Sequence, residues 1–112
     1  MEREVGRAVG NLGPGTALSL PMIARTIFIA GRVQGVMFRD WTVRAAHAIG
    51  VSGWVRNRSD GRVEVYAVGE AHLVERLTDR LREGSPASRV DRIDALEAEL
   101  QPVDGFTERP TV

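Results

Sequence analysis

Between Gly31 and Asp40 the chain reads GRVQGVMFRD, and these residue types are the ones that hold an anion. Gly35 lets the backbone turn so that its amides point inward. Those amides continue into the unpaired N–H groups at the start of a stretch with helical spacing, where the helix dipole is positive. Arg39 adds a planar, permanently charged fork that suits two phosphate oxygens at once, so the expected ligand is a phosphate-sized dianion. The plainer reading of Arg39 is a helix-start arginine paired with Asp40; its place in a glycine-containing cradle favours the anion. Thr42, in the first helical turn, is a candidate to support the cradle through a hydrogen bond. Two better-known phosphate loops are excluded. Gly31 and Gly35 lack the Walker spacing, no lysine follows them, and the glycines do not form a dinucleotide fingerprint.

The elements that must position this loop follow from periodicity. From Arg25, RTIFIAGRV places Ile27, Ile29 and Val33 on one face and Thr26, Phe28 and Ala30 on the other, as a central strand requires. Trp41, Ala45, Ala48 and Ile49 recur at helical spacing, and Gly50 supplies a stop. VSGWVRN and RVEVYAV alternate and are joined by RSDG, whose Asp60-Gly61 pair signals a hairpin turn. A second helix carries Val74, Leu77 and Leu81 on one stripe and ends at Gly84 and Pro86. RVDRIDALEAEL is ambiguous, because ALEAEL suits a helix, but Val90 and Ile93 after a proline favour a fourth strand. A short fifth strand is expected around Phe106.

This order, βαββαβ, predicts a ferredoxin-like α+β sandwich: an antiparallel sheet with two helices on one face. Residues 1–21, rich in glycine and small side chains, are read as a flexible extension and residues 22–112 as the domain. A right-handed crossover makes the first two strands parallel with the third between them, so their C-terminal ends share an edge about 10 Å apart. Asn57, at the end of the second strand, can therefore face one pocket with Arg39. On position alone Asn57 is also a common hairpin-turn residue.

Composition narrows the chemistry further. All 15 basic residues are arginine and 15 acidic residues balance them, which removes lysine Schiff-base chemistry and any broad field for nucleic acid or an anionic membrane. No cysteine is present, which excludes disulfides, thiolate metal sites and cysteine nucleophiles. His47 and His72 have no ligand-spaced companion, so no metal is expected. No apolar run reaches membrane length, and Glu2 and Glu4 argue against a secretory leader, so the chain is read as soluble and cytoplasmic, with a monomer as the default expectation.

The string from Gly31 to Val65, GRVQGVMFRDWTVRAAHAIGVSGWVRNRSDGRVEV, closely resembles the signature of the acylphosphatase family, and GSPASRVDRID resembles that family's later Gly-Pro and fourth-strand region. The resemblance implies a small ferredoxin-like hydrolase acting on phosphorus-containing acid anhydrides. It would convert acyl phosphates to carboxylate and inorganic phosphate without cofactor, metal or covalent intermediate. It implies that Arg39 binds the phosphate, that Asn57 orients the attacking water, and that the backbone amides of Gln34, Gly35, Val36, Met37 and Phe38 surround the phosphoryl group. Arg58 departs from it, since several relatives carry a hydroxyl residue after the asparagine. The leaving carboxylate is a weak base with a pKa of about 4 to 5, so no strong general acid is needed and positioning with electrostatics suffices.

Two other functional classes fit the residues less well. Ferredoxin-like folds also carry RNA-binding modules that stack bases on central-strand aromatics, but only Phe28 and Tyr66 qualify here and the net charge is zero. A non-catalytic acyl-phosphate-binding domain, as found within larger carbamoyl-transfer proteins, would not need both Arg39 and Asn57. Phe38, Trp54 and Ile49 are assigned to the core rather than to substrate.

Overall fold

The computed structural model describes residues 21–112; apart from Pro21, the expectation for the N-terminal extension lies outside the described residues. β1 (Met22–Arg32) buries Ile27 and Ile29 and turns Thr26 and Phe28 to its other side. It begins earlier than Arg25 because its ladder with β3 (Val63–Glu70) continues to the Met22–Glu70 pair. α1 (Phe38–Ile49) buries Phe38, Thr42, Ala45 and Ala46. The expected stripe is thus rotated: Ala48 is exposed, and Trp41 and Ile49 are half-buried against the core. Phe38 carries more apolar surface than any alanine of the helix and sets which side turns inward.

β2 (Ser52–Asn57) and β3 form the expected hairpin. α2 (Ala71–Glu83) buries Val74, Leu77, Thr78 and Leu81, and its last turn closes with Gly84 N–H donating to the Arg80 carbonyl at 3.0 Å. β4 (Arg89–Ala98) takes in the ambiguous ALEA run as strand. Pairing with β1 as far as Ala24–Ala98 overrides the helical propensity of that run.

The sheet order is β4-β1-β3-β2-β5, with β5 spanning Phe106–Glu108. β1 and β2 each run antiparallel to β3, so they are parallel with β3 between them, as the crossover argument requires. One expectation needs correction: β5 pairs parallel to β2, which makes the sheet mixed rather than wholly antiparallel. The segment 99–105 reverses the chain once between β4 and β5, and a strand antiparallel to β4 is parallel to β2.

That segment crosses the sheet face opposite the helices. The Tyr66 hydroxyl donates to the Glu99 carbonyl and accepts from Gln101 N–H at 2.9 Å. Val103 packs on Ala24, Tyr66 and Val68. On the helical face, Ile27, Ile29, Val55, Val63 and Val65 meet Phe38, Ala46, Val74, Leu77 and Leu81 in one fully buried cluster.

Candidate active site

The joint between β1 and α1 is irregular from its first residue. The β1–β4 register slips between Ala30 and Gly31, and a Cβ at Gly31 would stand 2.2 Å from the Arg89 carbonyl oxygen, so only glycine fits this crossing. Gly35 has φ 75° and Met37, the residue preceding the helix, has φ 63°. Met37 is 73% exposed, so its left-handed backbone is not repaid by packing of its side chain. No side chain caps α1. The N–H groups of Phe38, Arg39 and Asp40 therefore have no acceptor within the helix and face outward at its positive end.

Below this turn the helix is firmly anchored. Phe38 is 1% exposed, and the buried Thr42 hydroxyl donates to the Phe38 carbonyl at 2.9 Å. Thr42 thus braces the first turn from inside. Arg39 is half-exposed, and its Nε lies 3.8 Å from a carboxylate oxygen of Glu108 on β5. Asp40 pairs instead with Arg44 at 2.9 Å, so the plainer reading of Arg39 as the partner of Asp40 does not hold.

Asn57 is the last residue of β2 and shares the parity of buried Val55, which places it on the helix-bearing side of the sheet. Its carbonyl accepts Val112 N–H at 3.2 Å. Among the described residues its side-chain amide has no hydrogen-bond partner, leaving it available to a water or ligand. Two tethers join this strand end to the loop. Gln34 Nε2 donates to the carbonyls of Arg58 and Arg62, both at 2.8 Å, across the hairpin that follows Asn57. Glu108, beside Arg39, is the register partner of Val55.

The side-chain role of Gln34 and the place of Glu108 beside Arg39 are not among the expectations from sequence. A glutamine beside a glycine turn carries no signal of the strand it will meet, and the register of a three-residue edge strand is invisible locally. The hairpin itself is tightened by Asp60. Its carboxylate accepts the Arg62 N–H at 3.0 Å and the guanidinium at 3.0 and 2.7 Å. These Arg62 bonds lower the Asp60 pKa from 3.8 to about 2.

With this geometry in view, comparison with known proteins is decisive. The family model described as Acylphosphatase matches residues 25–107. The chain belongs to the acylphosphatase family. A curated acylphosphatase of Rhizorhabdus wittichii is 54% identical over 90 residues, covering 80% of this chain and 91% of that protein. The crystal structure of acylphosphatase from Bacillus subtilis superimposes with a TM-score of 0.75 at 35% identity, covering 78% of this chain and 98% of that one. Full-length HypF, solved in a phosphate- and nucleotide-bound form, matches with a TM-score of 0.78 at 29% identity, over 85% of this chain but 13% of its own. Membership makes the chain a hydrolase of acyl phosphates.

The rest of the acylphosphatase surface is differently furnished. Trp54, expected in the core, lies half-buried on the sheet face away from the helices, with Arg56 at 4.6 Å and Arg109 at 4.9 Å from its ring centre. The Arg62 and Arg58 guanidiniums stand 4.5 and 5.6 Å from the ring centre of Phe28. The Phe28 ring that an RNA module would offer for stacking is therefore already in contact with cations. His47 Nε2 lies 3.1 Å from the Phe106 carbonyl, where it pins β5 to α1. Among the described residues no three His, Cys, Asp or Glu side chains converge as metal ligands would, and no helix is long and apolar enough to cross a membrane.

Proposed function

We propose that hydrolysis proceeds by direct attack of a water on a phosphoryl group held at the β1–α1 joint. The backbone amides of residues 34–38, continued by the free first-turn amides of α1, surround the equatorial phosphate oxygens, and the Arg39 guanidinium binds two of them. The Asn57 side chain holds the water opposite the acyl oxygen. As the new P–O bond forms, the bond to the acyl oxygen breaks and its electron pair leaves on the carboxylate. An acyl phosphate dianion and water thus give a carboxylate and dihydrogen phosphate. The leaving group is stable as an anion, so what the protein must supply is charge complementarity and alignment.

The observation that carries this reading is the pairing of two unsatisfied sets of polar groups on one sheet edge. The uncapped, partly left-handed start of α1 offers donors without acceptors, and Asn57 offers an amide without a partner. Gln34 ties the two together. The test is phosphate release from benzoyl phosphate by the parent and by Asn57→Ala, with EDTA present and absent. Turnover that survives EDTA and falls with the substitution supports the reading. Phosphate binding without turnover would instead mark a binding module.

A further inference from the structure

Asn57 must be aimed, yet it sits where the β2 ladder ends, at the Asn57–Val63 pair. Its two sequence neighbours project to the opposite side of the sheet, and both reach the same atom. Glu64 Oε1 accepts from Arg56 Nε at 2.9 Å and from Arg58 Nη1 at 2.8 Å. Glu64 is 7% exposed and is the register partner of Arg56 on one side and of Phe28 on the other. The Phe28 ring lies 5.6 Å from the Arg58 guanidinium, and Asp60 stands 3.6 Å from Arg58 Nε.

A strand end can roll about its own axis, and a single tether would not stop it. Two tethers from positions 56 and 58 to one buried oxygen fix the roll of residue 57 between them. Burying a carboxylate is unfavourable unless it is paired and hydrogen-bonded, which makes the convergence of two guanidiniums on Glu64 a stiff arrangement. Gln34 also holds the Arg58 carbonyl, so residue 58 is fixed through its backbone as well as its side chain.

We infer that Glu64 is a positioning residue that aims the Asn57 side chain through Arg56 and Arg58 from the far side of the sheet. This inference rests on the reading of Asn57 as the water-holding residue, and it gives Arg58 a place in the reaction. Among the described residues Glu64 bonds directly to Arg56 and Arg58, which flank Asn57, and meets the cradle only through the Arg58 carbonyl held by Gln34, so the main effect is expected on alignment of the water rather than on phosphate binding.

The test is a double-mutant cycle on benzoyl phosphate hydrolysis with the parent, Glu64→Gln, Asn57→Ala and the double variant, with inhibition by inorganic phosphate measured in each. Glu64→Gln keeps the volume and removes the charge that the two guanidiniums share. It is expected to lower kcat about tenfold when Asn57 is present and less than about twofold in the Asn57→Ala background, with the phosphate inhibition constant within about twofold of the parent. Equal drops in both backgrounds, or parent-like kcat in Glu64→Gln, overturn the inference and leave the role of Asn57 standing. Parent-like turnover in Asn57→Ala overturns that role, and this inference with it. If Glu64→Gln does not fold, Arg58→Met removes one tether at a half-exposed position and carries the same expectations.

Discussion

The βαββαβ chain contains two strand-to-helix joints in equivalent places, and they are built in opposite ways. Between β3 and α2 there is no loop: Glu70 ends the strand with an ordinary extended backbone (φ −61°, ψ 143°) and Ala71 begins the helix. Between β1 and α1 the chain spends residues 33–37, two of them left-handed, and a register slip precedes them. Both helices lack a side-chain cap, so the fold can start a helix here without a special loop. The extra residues at one joint serve something other than connection. They curl the backbone round the end of a helix whose first turn carries Arg39, whereas the first turn of α2 carries Ala71, His72 and Leu73. The left-handed residues and the register slip lie at only one of the two corners, and that corner is the one proposed to bind the phosphate.

The contrast can be broken most directly at Arg39. Arg39→Ala is expected to lower kcat/KM for benzoyl phosphate by about 10³-fold or more, since it removes the permanent charge on the phosphoryl oxygens. His72→Ala at the other joint should leave kcat/KM within about twofold, and a comparable loss there would erase the distinction between the corners. Asn57→Ala comes next: kcat should fall about 10²-fold with a smaller change in KM, because the water is lost and not the phosphate contacts.

Gly35→Ala tests the loop backbone alone. A Cβ there meets nothing within 4 Å, so the substitution acts only through the left-handed φ. It should cost about 1 kcal/mol of stability in urea unfolding and weaken phosphate inhibition several-fold. The smallest effect belongs to Asp60, in the hairpin. Its folded pKa of about 2 lies below the ordinary 3.8, so its contribution is present above about pH 4 and is lost as pH falls through about 2. Asp60→Asn should therefore flatten the acid limb of a stability curve between those values and leave neutral-pH turnover unchanged.

Much of this contrast was legible in the residues. The alternation of Ile27 and Ile29, the Asp60-Gly61 turn and the stripe of α2 each report a local period, and local periods survive folding. The loop was legible because glycine and arginine advertise their backbone and charge. What stayed hidden depends on partners far away in sequence. Gln34 gave no sign that its side chain would bridge Arg58 and Arg62, Glu108 reaches Arg39 only because β5 adds to β2 in parallel, and nothing in the alternating run RVEVYAV sets Glu64 apart. Trp54, assigned to the core, packs half-buried on the smaller cluster of Ala24, Tyr66 and Val68 on the face away from the helices, and no local signal showed that arginines would lie against its ring.

The strand order also sets a sequence of events in folding. β2 and β3 are joined by a short turn, whereas β1 must find β3 from Met22 to Glu70 and β4 from Ala24 to Ala98 across long stretches of chain. Closing those separations is slow compared with a hairpin, so the β2–β3 unit bearing Asn57 is expected to organise before β1 docks. The proposed phosphate cradle hangs from the end of β1 and acquires its Gln34 bonds only on that docking. On the proposed mechanism, activity is therefore expected to appear late in folding, when that long-range strand pairing brings the loop and Asn57 into register.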